Sequence, residues 1–404
     1  IRGSFQRRIS YRRGSSLTEE AHLNDRMALS LLAEVMGWPE DDQAVATHEY
    51  AWLRMMSAVK YDGYSYFRAG VRFLESLATW LKQFAPEDRS AAYDFIKRRL
   101  VYISLPEMQC LVETFLPEVV TPHLRRTVAH QLGIKPYEVW AEKSGADAFR
   151  RCLRKTLFVG MSDGSRIDML RRANSGRIST EQVVPMMNVD KDKCLDLSKN
   201  LQQSEGMTPS ERFDCVYLID DFTASGTTFI RKNVDGEWKG KLKKFNDLIR
   251  DARGIVGDGF PIADNYELHI HHYISSAQAK LALVERLEIA KAEWSEWTCS
   301  DYKVTESLLL PDSLPLAQPV DGPMLNLGDK YYDHEIFTRA EKHCREAGQS
   351  DMKLGYADCA LPIVLEHNTP NNSVPLLWAE TTGNGGAHPM RPLFFRRDRH
   401  GSLQ

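Results

Sequence analysis

The stretch Val216 to Thr228, VYLIDDFTASGTT, concentrates residue types suited to holding a phosphorylated ligand. An apolar run, VYLI, ends in two adjacent carboxylates, Asp220 and Asp221, and then breaks into small and hydroxylated residues. VYLI is short and apolar on both alternations, as expected of a strand buried in the middle of a parallel sheet. The acids then fall at its carboxyl end, where open α/β sheets bind ligands. Ser225, Thr227 and Thr228 bring hydroxyls, and Gly226 permits close backbone approach. With a helix expected to begin near Thr228, amides, hydroxyls and helix dipole would converge on an anion. The same string also fits a plain strand leading into a capped helix.

Two other clusters carry polar chemistry. GMSDGSR, Gly160 to Arg166, follows a short apolar run, TLFVG. Read alone it is equally a turn before a helix. Near the carboxyl end, ALPIVLEHNTPNNSVPLLW sets His367, Asn368, Thr369, Asn371 and Asn372 beside Pro362, Pro370 and Trp378. An aromatic plane with amide edges suits a nucleobase, although NTPNN also reads as a turn between two strands.

The elements that must position these residues follow from periodicity. From about Thr18 to Trp140 apolar residues recur at helical spacing, as with Phe73, Leu77, Trp80 and Leu81. Ser104 with Glu107 reads as a capping box. From Lys155 onward, strands alternate with helices: TLFVG, ISTEQVVP, the motif strand, YELHIHHYISS and YKVTESLLL. That alternation predicts right-handed crossovers and a parallel sheet. The polar stretch from Asn188 to Arg212 shows no clear periodicity and reads as a long loop. The expected divisions are a basic arm over 1–17, a helical domain over 18–150, an α/β core over 151–320 and an extension over 321–404.

VYLIDDFTASGTT resembles the phosphoribosyl-pyrophosphate-binding motif of the type I phosphoribosyltransferases. The resemblance implies an α/β fold with a parallel sheet and flanking helices, preceded here by an all-helical domain. It implies that Asp220 and Asp221 hold the ribose hydroxyls and that the loop Thr223, Ala224, Ser225, Gly226, Thr227 and Thr228 wraps the 5′-phosphate. Some purine-salvage members carry a general-base acid at the position of Ala224, and this chain lacks it. The loop after the first strand would bind pyrophosphate through Ser162, Asp163, Gly164 and Ser165, with Arg166 neutralising the leaving group. The loop from Asn188 would close over the site and bring a cation, Lys191 being the candidate among Lys191, Lys193 and Lys199. A C-terminal hood would bind the base through His367, Asn368, Asn371, Asn372 and Trp378. Magnesium is expected on substrate oxygens, with no direct protein ligand.

The whole-chain arrangement is also similar to phosphoribosyltransferase-like effectors of bacterial conflict systems, including retron-associated phage defence. That likeness implies an enzyme transferring or hydrolysing a phosphoribosyl group, restrained by a regulatory protein or a nucleic-acid complex. A second reading stays open, because regulators exist in which this fold senses a nucleotide and does no chemistry.

Composition narrows the setting. No run among the 404 residues approaches a membrane span, and a cytoplasmic protein is expected. Seven scattered cysteines form no C-x-x-C pair, which argues against a disulfide framework or a zinc ribbon. A net charge of −3 disfavours a uniformly basic nucleic-acid binder. Local basic character exists in Arg2, Arg7, Arg8, Arg12 and Arg13, read as a solvated tail or as an arm for an acidic partner. A homo-oligomer is among the expected states. His269 and His271 share one side of a strand, but two ligands make no metal site, and they read as sheet-face residues.

Overall fold

The computed structural model describes residues 27–38, 43–67, 72–186 and 190–396. The five arginines of the expected arm, and Asn188, lie outside them. Helices α1 (Gln43–Val59), α2 (Phe73–Lys82) and α3 (Arg89–Arg98) lead to a short strand, β1 (Val101–Ile103). Helices α4 (Leu105–Thr114), α5 (Thr121–Leu132) and α6 (Lys143–Arg154) follow. The α/β part runs β2 (Thr156–Gly160), α7 (Ile167–Ala173), β3 (Val183–Pro185), α8 (Lys191–Gln202) and β4 (Phe213–Thr223). It continues with β5 (Arg231–Lys232), β6 (Trp238–Lys239), α9 (Lys241–Val256), β7 (Ile262–Ser276), α10 (Ala277–Glu293) and β8 (Asp301–Leu310). Helices α11 (Gly322–Tyr331) and α12 (Glu335–Glu346) precede the last strand, β9 (Ile363–Leu365). Among the described residues no helix is long and apolar enough to cross a membrane.

All five expected strands form one parallel sheet in the order β3-β2-β4-β7-β8. The first two strands of this sheet in sequence, β2 and β3, therefore lie on one side of β4, and the last two on the other. The connections after β2 and β4 leave in opposite directions, opening a crevice at their carboxyl ends. Both faces of the sheet are covered, which explains why VYLI has no polar alternation. Val216 and Leu218 pack with Phe245, Leu283 and Leu287 from α9 and α10. Tyr217 and Ile219 pack with Val112, Phe115 and Leu124 from the α4–α5 region. Each fully buried Leu, Ile or Phe of this kind contributes about 1.5–3 kcal/mol.

The helical and C-terminal segments share one apolar core, although more than two hundred residues separate them. Phe73, Leu77, Trp80 and Leu81 are all fully buried, as their spacing predicts. Their partners include Tyr331, Leu377 and Phe394. Trp80 donates its indole N–H to the Leu376 carbonyl at 2.6 Å. The aromatic residues Tyr61, Tyr64, Phe67 and Phe73 surround the Phe394 ring, with centroids 5.2–6.1 Å from it. The capping box is present: the Glu107 carboxylate accepts the Ser104 amide at 2.8 Å, just before α4.

Two expectations are corrected. The stretch after Asn188 is not a long loop, because residues 191–202 form helix α8. Cys194, Leu197 and Leu201 make a buried stripe on it, and Asp190 caps it by accepting the Lys193 amide at 2.8 Å. Charges crowding its solvent face hid that sparse stripe. No helix begins near Thr228 either; the β5–β6 hairpin intervenes and α9 starts at Lys241. The first amides of α9 are taken by the loop itself, Lys241 donating to the Thr228 carbonyl at 3.2 Å and Leu242 to that of Phe229 at 3.0 Å.

Candidate active site

Strand β4 carries Asp220 and Asp221 to the crevice, and strand alternation sends the two side chains to different partners. Asp220 is 3% exposed. It accepts from Ser162 Oγ at 2.5 Å and forms an ion pair with Lys241 Nζ. Asp221 accepts from His367 Nε2 at 2.8 Å. Burial and the neighbouring Asp221 charge raise the Asp220 pKa, with Lys241 opposing them. Burial would also raise Asp221, but His367 and then Lys241 outweigh it and hold that carboxyl below its ordinary value.

The loop after β2 closes on the same pair. Gly164 packs so tightly against Asp221 that a Cβ there would collide with the carboxylate. Ser165 Oγ donates to the Ser162 carbonyl at 2.5 Å, holding the loop in a single turn. Asp163 is exposed, and its carboxylate finds no partner among the described residues. Arg166 adopts a left-handed backbone, φ 52°. Such a conformation costs a non-glycine residue about 1–2 kcal/mol. It aims the guanidinium at Glu366, with which it forms an ion pair.

Glu366 links the hood to the crevice. Strand β9 pairs in parallel with β1, and Glu366 and His367 follow directly from its end. Glu366 is 4% exposed, and its Oε1 lies 3.2 Å from His367 Nδ1. The result is a continuous chain, Arg166–Glu366–His367–Asp221. Burial lowers the His367 pKa, yet hydrogen bonds to Asp221 and Glu366 more than compensate, so it lies above its ordinary 6.5. Glu366 is held low for the converse reason: burial raises it, but His367 and Arg166 prevail.

Residues 223–228 form a loop wedged against the start of α10. Ser276 Oγ donates to the Ala224 carbonyl at 2.5 Å and accepts the Ala279 amide at 2.9 Å. Gly226 has φ +71°, and a Cβ there would come within 3.1 Å of the Ala279 carbonyl. Ser225 Oγ and Thr227 Oγ1 share a hydrogen bond of 2.8 Å. Arg286 and Arg231 donate to the Ser225 and Thr227 carbonyls at 3.2 Å each, so two guanidinium groups flank the loop. Thr223 is 7% exposed, whereas Thr228 is open to solvent.

The crevice thus gathers Asp220, Asp221, Ser162, Asp163, Gly164, Ser165, Arg166 and His367, with the 223–228 loop continuing from the same strand. The remaining expected residues sit elsewhere. Lys191 lies at the start of α8, beside Leu248, Asp251 and Ile255 on the distal half of α9. Asn372 is tied within the hood, donating to the Tyr356 carbonyl at 3.0 Å, and the Asn371 carbonyl accepts the Tyr356 amide at 2.7 Å. The Asn368 amide closes a turn on Leu365 at 3.0 Å. Trp378 is buried in the helical–C-terminal core and donates to the Ser373 carbonyl at 2.8 Å. Its ring is packed inside the hood rather than facing the crevice acids.

Lys241 and Glu366 are the site residues that sequence reasoning missed. Each left a signal. A lysine at the first position of a helix opposes the macrodipole, which marks it as held by something else. Glu366 ends an apolar strand with a carboxylate, in the same way that Asp220 ends VYLI.

A doubly covered parallel sheet with an acid pair and a hydroxyl-rich loop at its switch point defines a type I phosphoribosyltransferase-like protein. Residues 77–396 match the PRTase-CE family model, and the chain belongs to that family. No curated protein and no solved structure matches it.

Proposed function

We propose that the protein binds phosphoribosyl pyrophosphate or a nucleotide in the crevice and transfers or hydrolyses the phosphoribosyl group. The observation that carries this is the convergence of the Asp220–Asp221 pair with both the 161–166 loop and the 223–228 loop at one switch point. The ribose diol would lie on the two carboxylates, the 5′-phosphate on residues 223–228 between Arg231 and Arg286, and the pyrophosphate against residues 162–165. In the described state, Lys241 and His367 occupy the two acids. Diol binding would exchange those contacts for hydroxyl donors and free two cationic groups within reach of the leaving phosphates. Charge on a departing pyrophosphate is what such groups stabilise. Lys241 would thus take the part expected of Lys191, and Arg166 would hold His367 in place through Glu366.

Magnesium fits this reading. Asp163 offers hard, unpartnered carboxylate oxygens at the edge of the crevice, suited to an ion held mainly by substrate oxygens and water. When bound, the ion would neutralise the leaving pyrophosphate. The protein's own residues orient the ribose and hold the phosphate.

An assay of pyrophosphate release from phosphoribosyl pyrophosphate, with a panel of bases or with water as acceptor, tests the chemistry. Saturable binding without turnover under every condition would instead favour a nucleotide sensor. One observation favours that second reading: Ala224 is buried, with its carbonyl locked by Ser276, and supplies no base. The site itself is tested by Asp220→Asn with Asp221→Asn, for which loss of ligand binding is expected and unchanged affinity would remove the assignment. A defence-effector role predicts that expression slows growth and that the same double variant relieves it. Equal toxicity of the two would count against an enzymatic effector.

A further inference from the structure

The geometry points to a second site, at the opposite end of the sheet, for a divalent transition metal: His123, Cys215 and His269, with Glu267 as fourth ligand, bind zinc. The histidines of β7 offered only two aligned candidates in sequence, and the fold supplies the others. Cys215 on β4 stands in register with Glu267 on β7, and His269 lies two residues further along the same face. Helix α5 brings His123 down onto that face.

His123, Cys215 and His269 are 6%, 6% and 1% exposed. One ligand atom from each lies within 4.8 Å of the others. Bonds of about 2.0–2.3 Å in a tetrahedral zinc site place ligand atoms roughly 3.5 Å apart, so closure needs side-chain shifts of about an ångström. Glu267 is already oriented toward the group, its carboxylate 3.3 Å from His123 Nε2 and 3.4 Å from His269 Nε2.

The independent sign of a ligand is His269. Both of its ring nitrogens are buried and neither makes a hydrogen bond; Nε2 has only the 3.4 Å ion-pair contact with Glu267, and Nδ1 has no polar contact among the described residues. A buried polar group without a hydrogen bond costs about 1–3 kcal/mol, a cost that a metal bound at the ring would offset. His271, on the same face, is satisfied by Thr305 Oγ1 at 3.0 Å and Ser307 Oγ at 3.1 Å. It is therefore not a ligand. Charge balance also favours the ion, because Zn²⁺ with one thiolate and one carboxylate is neutral overall and suits a buried position. The mixed thiol, imidazole and carboxylate set selects zinc over magnesium or calcium.

Lys303 is the competing cation. Its Nζ lies 2.5 Å from Glu267 and 3.4 Å from His123 Nδ1. Its side chain is 48% exposed, so it can swing into water when Glu267 turns to the metal. The site stands about 16 Å along β4 from Asp220, at about 3.3 Å per residue. It would pin α5 to the sheet and take no part in chemistry at the acid pair.

Three measurements decide the matter. The purified full chain is expected to carry close to one equivalent of zinc by elemental analysis. After chelation, cobalt(II) titration should produce a thiolate-to-cobalt absorption band, absent in Cys215→Ser and His269→Gln but kept in His271→Gln. Zinc added back to the chelated wild-type protein should raise its melting temperature, a readout that does not depend on any variant folding. No thiolate band, a band of full strength in Cys215→Ser, or a melting temperature indifferent to chelation and zinc would overturn the proposal.

Discussion

At the scale of single residues, the crevice is a set of buried charges that hold one another in place. Lys241 is the partner on which Asp220 depends. Removing one member of a buried ion pair costs about 3–5 kcal/mol, since the other charge is left uncompensated. Lys241→Ala should therefore destabilise the fold by about that amount. Adding Asp220→Asn should recover part of the loss, giving a non-additive double-mutant cycle in denaturant unfolding. Additive effects would show that the pair is not coupled. His367 makes a separate prediction with a definite sign. Its pKa is raised above 6.5 on folding, so its contribution is complete below that value and is lost as pH climbs through the raised pKa. Asp221, held low, contributes above the ordinary carboxylate range and loses its contribution as acid protonates it. Wild-type stability should fall between roughly neutral and mildly alkaline pH, and His367→Gln should flatten that slope. An unchanged slope in the variant would place the titration elsewhere.

At the scale of elements, the site depends on two loops pressed against neighbours with no spare room. Gly226 combines φ +71° with the Ala279 carbonyl at 3.1 Å from any added Cβ. Gly226→Ala should cost about 1–2 kcal/mol of stability and weaken phosphate binding by displacing Ser225 and Thr227. Equilibrium unfolding together with calorimetric titration of phosphoribosyl pyrophosphate would measure both. Wild-type affinity in the variant would mean that the loop does not hold the phosphate. The five strands of the main sheet were legible because short β-branched and aromatic runs separate cleanly from amphipathic ones, whereas β1 fell within the stretch read as helical. The helix over 191–202 was not legible, since three buried apolar residues in twelve, with Leu195 facing outward, leave a stripe too thin to stand out among charges. The hairpin after Thr228 escaped for another reason: two-residue strands carry almost no periodicity.

At the scale of the whole molecule, the hood that supplies Glu366 and His367 to the crevice shares its core with the helical segment. Phe394 is fully buried amid aromatic rings from 61–73, and also lies 5.6 Å from the ring of Tyr102 in β1. Phe394→Ala should cost about 3–5 kcal/mol. Because β1 carries β9, and β9 carries Glu366 and His367, the same change should expose both segments to hydrogen exchange together. Protection lost in the C-terminal segment alone would contradict a shared core.

Local sequence sufficed for the sheet, the order of its strands along the chain and the acid pair with its small-residue loop, because these are written in contiguous residues whose spacing reports burial. It also marked Ser162 to Arg166 and His367 as polar clusters near the right elements. Only the tertiary structure decided what those residues touch. Lys241 and His367 reach the acids from positions 21 and 146 residues away in the chain, the pairing of β1 with β9 sets Glu366 beside His367, and Trp378 and Asn372 turn inward to hold the hood. The physical reason is the same in each case. A side chain's partner is set by packing between distant segments, and no local pattern encodes which buried charge will meet which.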